Sequence, residues 1–214
     1  IHSDLAPFAE GVQGHVRLWA NTHAIHSYLP NDLAAFLARH PQVSVNLEEH
    51  TSSDILAGVA RGDAEIGIVA GYDDYQEVDL LPYRADRLVL ITAPAHSLAE
   101  RHSLSFAQVI SEPFVMLHAG SAIHTFTMNT ASSLGTHLNV RVQVNSFEAV
   151  CRMVAAGVGI GLVPREAVKL SGRQPLSIIE VEDSWAQRDL KICTRRKTPL
   201  SPFAQALIDH LLAE

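Results

Sequence analysis

Residues 66–70 read Ile66-Gly67-Ile68-Val69-Ala70, five residues without a polar side chain. A run that is apolar on both faces suits the middle of a parallel sheet covered by helices on each side, because a strand with one wet face alternates instead. Upstream, Ser52-Ser53-Asp54 is a capping cluster that opens a helix with an apolar face at Ile55, Leu56, Val59 and Ala60, and Gly62 closes it. Val43-Ser44-Val45-Asn46-Leu47 alternates as a strand. Before it, Leu29, Leu33, Phe36 and Leu37 share one helical face that Pro41 terminates, and Gly14–Ala20 alternates as the first strand. A β-α-β-α-β unit therefore fills residues 14–71, and helical crossovers of this length imply parallel pairing with right-handed connections.

Downstream of the strand-like Leu88–Thr92 the rhythm restarts, with strands at residues 114–117, 140–144 and 160–163 and helices at residues 122–134 and 147–156. The last strand and helix, at residues 190–194 and from Ser201-Pro202 onward, have no partner lobe of their own and return to the first. The expected fold class is α/β, two Rossmann-like lobes joined by two crossover strands, with lobe I at residues 14–91 and 193–214 and lobe II at residues 92–192. Two such sheets make a cleft, and open α/β sheets bind ligands beyond the carboxyl ends of their strands.

Composition narrows the function. The 214 residues are 47% apolar and 18% charged, enough for one substantial core or two modest ones. No stretch approaches the roughly 20 apolar residues of a membrane span, and the opening residues lack the order of a secretory signal, so a cytoplasmic location without membrane contact is expected. The net charge of −7 disfavours nucleic-acid binding by this segment, and the one basic cluster, Arg195-Arg196-Lys197, reads as a solvated turn. Cys151 and Cys193 lie in apolar runs without metal spacing and read as free buried thiols.

The expected strand-end loops carry Asn21, Thr22 and His23; Thr51 and Ser52; His118, Gly120 and Ser121; and Asn145, Ser146 and Phe147. Each precedes a helix, whose unpaired N–H groups and partial positive charge favour an anion such as a carboxylate. Thr22, Ser52, Ser121 and Ser146 equally suit capping of their own helices, a role compatible with ligand binding. No catalytic residues are expected: GxSxG, P-loop and HExxH patterns are absent, and Gly157-Val158-Gly159-Ile160-Gly161 leads into a strand, where it serves close packing rather than phosphate binding. Twelve histidines include His23, His26, His50, His118 and His124 near these loops, yet no carboxylate or thiolate set accompanies His23-x-x-His26 at zinc spacing, so neither a metal nor another cofactor is expected. His23 and His118 are the histidines that suit ligand donation or pH sensing.

The ordered set Gly14-x-Val16-x-Leu18, Ala20-Asn21-Thr22, Leu29-Pro30, His40-Pro41, Gly62-Asp63-Ala64-Glu65-Ile66-Gly67-Ile68-Val69, Ala95-His96-Ser97-Leu98-Ala99, Glu112-Pro113-Phe114-Val115 and the stretch from Val154 through Gly157-Val158-Gly159-Ile160-Gly161-Leu162-Val163-Pro164 resembles the effector-binding domain of LysR-type transcriptional regulators. The resemblance implies a type 2 periplasmic-binding-protein-like fold, no enzymatic activity, and a small-molecule effector, an organic acid or other polar metabolite, in the cleft. It places the effector on Asn21, Thr22, His23, Thr51, Ser52 and residues 145–147. Asn21 and Asn145 stand where members often have Ser or Thr, and His23 and His118 replace smaller groups, which allows a ligand with extra acceptors. It also implies residues 1–13 as the end of a linker helix, DNA contact only through an N-terminal winged helix-turn-helix outside this sequence, a homodimer pairing the helix at Leu29–Arg39 with that at residues 147–154, and a tetramer of the longer protein. The competing reading is a solute-binding protein of a transporter.

Overall fold

The computed structural model describes residues 13–172 and 174–213. In chain order the elements are β1 (Gly14–Ala20), α1 (Thr22–Ser27), α2 (Leu29–Arg39), β2 (Val43–Glu49), α3 (Ser52–Arg61), β3 (Ile66–Ala70) and β4 (Val78–Arg84). There follow β5 (Leu88–Thr92), β6 (Ser103–Leu104), β7 (Pro113–Leu117), α4 (Ala122–Ser133), β8 (Asn139–Val144) and α5 (Phe147–Ala155). The chain closes with β9 (Gly161–Pro164), α6 (Arg165–Leu170), β10 (Ser177–Val181), β11 (Leu190–Arg195) and α7 (Pro202–Ala213). Contacts divide it into two units, one running to Arg84 and resuming at Leu190, the other Ala85–Asp189.

Unit one is a five-stranded sheet in the order β2-β1-β3-β11-β4, with β1 parallel to β2 and β3, and β11 antiparallel to β3 and β4. The five apolar residues of β3 are all buried because both faces are covered. Ile66, Ile68 and Ala70 join Leu18, Phe36 and Leu207 on the side of α2 and α7, whereas Val69 joins Ile55, Val59 and Cys193 on the side of α3. Alternation along a strand thus feeds two cores at once. Gly67 makes the second face possible, since a Cβ there would stand 2.4 Å from both Cys193 Sγ and Ile55 Cγ2. Helix α3 starts on the Thr51 cap and stops at Gly62, whose φ of 87° is the left-handed conformation that ends helices at least cost when the residue is glycine.

Unit two carries a four-stranded sheet, β6-β10-β5-β9, and the parallel pair β7-β8. The two are stitched together where Val115 N–H donates to the Ile160 carbonyl and Ile160 N–H donates to the Pro113 carbonyl, both at 2.8 Å. One core, with Phe106, Phe114, Val150, Val154 and Ile179, fills this unit. Cys151 and Cys193 are free and buried, and burial raises both thiols, Cys193 to about 12.

Two expectations about boundaries change. Strand β5, assigned from sequence to lobe I, pairs antiparallel with β9 and β10, so the chain enters unit two before Leu88. The return begins at Leu190, where β11 starts beside Ala70, and not at residue 193. Elements α1, β4, β6, α6 and β10 have no counterpart in the sequence reading. The expected linker tail falls, save for residue 13, outside the described residues.

Candidate functional site

In unit one the parallel register sets Ala20 beside Glu49 and Ile68, so the ends of β1, β2 and β3 lie together. The residues that follow them are therefore neighbours. Asn21 is the N-cap of α1: it is 4% exposed and its Oδ1 accepts the Ala24 N–H at 2.9 Å. Thr22 and His23, expected in a loop, are the first two residues of that helix and are buried, with the Thr22 hydroxyl donating to Glu49 Oε1 at 2.7 Å and the His23 ring 5.2 Å from that of Tyr28. Thr51 caps α3, donating its hydroxyl proton to Asp54 Oδ2 at 2.6 Å while accepting the Asp54 N–H at 3.3 Å. Ser52 Oγ accepts the Ala70 N–H at 3.1 Å and so fastens α3 to the end of β3. His50 stacks on Trp19 at 3.9 Å, and its bond to Glu48 holds that carboxyl below the usual range.

Two cations flank the same end of this sheet, and both are engaged. Lys191, opposite Val69, donates to the Tyr72 carbonyl and to Asp73, each at 2.7 Å, which lowers the Asp73 carboxyl. Arg84 reaches Asp32 at 3.3 Å. The basic cluster at residues 195–197 lies at the other end of β11, where Arg196 pairs with Asp79 at 2.8 Å.

In unit two, His118 N–H donates to the Val144 carbonyl at 2.8 Å, which brings the loops after β7 and β8 side by side. Gly120 turns this loop with a φ of 97°. Ser121 and Ser146 cap α4 and α5, accepting the N–H groups of His124 and Ala149 at 3.3 and 3.2 Å. His118 and Asn145 are exposed, whereas Phe147 packs in the core and offers little surface to a ligand. All eleven expected residues thus sit at carboxyl-end loops or helix starts, five in unit one and six in unit two.

Glu49, Asp54 and His124 were absent from the expected site. His124, beside Gln143, is pushed below the ordinary histidine value by burial and then by the charge of His118. The sequence had already set His124 among the histidines near these loops, and as the third residue of α4 it lies over the Ser121 cap. Among the described residues, no three or more His, Cys, Asp or Glu are grouped to hold a metal, and no helix is long and apolar enough to cross a membrane.

The model of the LysR substrate binding domain matches residues 9–214. The Bacillus subtilis protein described as an uncharacterized HTH-type transcriptional regulator, YwbI, is 25% identical over 92% of this chain and 66% of its own length. The HTH-type transcriptional activator CmpR of Synechocystis is 24% identical over 94% of this chain, again 66% of the relative. The chain thus spans just under two thirds of these relatives. The solved CcmR regulatory domain of Synechocystis in complex with 2-PG superposes with a TM-score of 0.75 at 24% identity, covering 94% of this chain and 97% of that one, a likeness that shows the fold.

Proposed function

The chain belongs to the family of LysR substrate binding domains, and from that premise we propose that it is the effector-sensing part of a LysR-type transcriptional regulator, with strand-end loops that bind a small organic acid or other polar metabolite. The observation that carries this reading is the placement of capped helix starts directly after parallel strands in both units, at Asn21, Thr51, Ser121 and Ser146. Such starts present oriented N–H dipoles where open α/β sheets receive ligands.

The longer protein would contact DNA through an N-terminal helix-turn-helix outside this chain and reside in the cytoplasm. Pairing of α2 with α5 of a second copy would give a dimer, and such dimers the tetramer. The domain itself would bind its effector without transforming it and without a cofactor, because the loop hydroxyls are used in caps and carboxylate contacts rather than aligned with a base. Effector binding would favour one conformation of the regulator over another. The transporter-component reading draws no support from the relatives, which are named as transcriptional regulators.

A thermal-shift screen of organic acids, amino acids and aromatic metabolites tests this. A ligand at 100 times its dissociation constant stabilises by about 2.7 kcal/mol. Removal of that shift by Asn145→Ala or His118→Ala, both exposed and outside the core, is the expected result. Shifts from divalent metals alone would overturn the reading.

A further inference from the structure

Resting on the effector reading and deepening it, we infer that the histidine pair His118 and His124, with Gln143 and Arg141 beside it, binds an effector carboxylate and takes up a proton as it does so. All four residues belong to unit two.

The stretch 113–155, which supplies β7, α4, β8 and α5, contains a single carboxylate, Glu148, in a chain of net charge −7. That carboxylate is held by Arg152 at 2.6 Å. The other charged residues and histidines of the stretch are His118, His124, His137 and Arg141. His137 precedes the amino end of β8, whereas His118 and His124 lie at its carboxyl end. There the His118 N–H donates to the Val144 carbonyl at 2.8 Å, and His124 Nε2 is 3.4 Å from the Gln143 amide nitrogen. Side chains alternate along a strand, so Arg141 shares the exposed face of β8 with Gln143.

His118 is exposed, but His124 is half-buried and lines an apolar cavity with Met116, Ile123, Thr127 and Phe147. Burial, and then the nearby His118, disfavour the charged His124 ring and hold it below the ordinary histidine value. The ring is therefore neutral near pH 7, and the Gln143 amide nitrogen, which has hydrogens and no lone pair, donates to Nε2. No other charged group on the surrounding elements supplies a counter-ion. Helix α4 has no further charge, and neither has β9, which lines the same cavity. The Arg188 guanidinium lies over Phe126 of α4 at 3.9 Å, and Asp183, next to the segment that carries Trp185, takes the Phe106 N–H at 2.7 Å. A carboxylate set against the two rings brings the counter-charge, so imidazolium becomes the favoured state and a proton enters with the ligand. Gln143 can turn its amide to offer oxygen to the new Nε2–H, and Arg141 adds a cation that pH does not change.

Acetate is the probe, since its carboxylate is its only polar group. Histidine ring signals are followed by NMR between pH 5 and 8, in acetate and in chloride at equal ionic strength. The His124 signal is expected to titrate at higher pH in acetate, and acetate to bind about tenfold more tightly at pH 5.5 than at pH 7.5. His124→Gln should remove that pH dependence, and His118→Gln, at an exposed position, should weaken binding at pH 5.5. Arg141→Gln should weaken binding equally at both pH values, and His137→Gln should change neither. Identical His124 titrations in acetate and chloride, or an undiminished pH dependence in His124→Gln, would overturn the inference. An acid that stabilises the chain equally at pH 5.5 and pH 7.5 in the thermal-shift screen would also overturn it while leaving the effector reading intact. If metals alone stabilise the chain although acetate moves the His124 titration, the effector reading falls and the carboxylate site stands without it.

Discussion

Trp19 lies in space that Gly58 leaves open, for a Cβ on Gly58 would stand 2.1 Å from the indole Cζ3. Alanine normally favours a helix over glycine by about 1 kcal/mol, but overpacking against a rigid ring costs about 1–3 kcal/mol, so the steric effect wins. Gly58→Ala is expected to lower stability to urea and to shift Trp19 emission as the ring leaves His50. Histidine titration gives a second prediction. Burial holds His40 and His124 below the ordinary value near 6.5, so the unfolded chain binds more protons as pH falls past that value. The stability these neutral rings contribute is complete above about pH 6.5 and is lost as pH falls through the lowered values. In His40→Gln and His124→Gln, unfolding measured between pH 7.5 and 5 should show a shallower decline. At this scale the sequence placed the caps of α4 and α5 at Ser121 and Ser146, but those of α1 and α3 one residue late, at Thr22 and Ser52, where Asn21 and Thr51 serve, because neighbouring short polar residues suit the role equally. It could not expose the proton that Thr22 gives to Glu49, because residues 27 apart meet only through the pairing of β1 with β2.

Gly159 governs an element-level junction. A Cβ on it would stand 2.3 Å from the Pro113 carbonyl oxygen, at the seam that fixes β7 and β8 to the four-stranded sheet. Backbone cannot yield as a side-chain tip does, so Gly159→Ala should cost about 1–3 kcal/mol and lower the melting temperature by roughly 2–4 °C per kcal/mol. Amide exchange at Val115 and Ile160 should quicken most, marking the seam as the place that opens. The run at residues 66–70 was legible because burial on both faces removes alternation. Strand β4 was not, since Pro82 interrupts it and it pairs only with β11, at an edge where a missing N–H is tolerated. Helix α1, six residues long, has too few turns to show a period.

At the scale of the molecule, unit two is one continuous stretch with its own core, whereas unit one is split by it. A fragment of residues 85–189 should therefore unfold cooperatively on its own in calorimetry. A chain stopped after Asp189 should lose unit one, because β11 lies between β3 and β4 and Phe203 of α7 packs over Gly14. That the last strand and helix rejoin the first unit was readable from their want of a nearby partner. The crossing point was not, because Leu88–Ile91 is apolar throughout and would suit either sheet. The central position of β11 also sets an order of events during translation. Unit two can form while the ribosome is still at work, but the edge of β3 waits until all of unit two has been synthesised. For that interval the nascent chain carries an apolar strand with unpaired N–H and C=O groups, a template for association with other chains. Slow codons or cold would lengthen the wait, and a chaperone that covers residues 66–70 would shorten its danger.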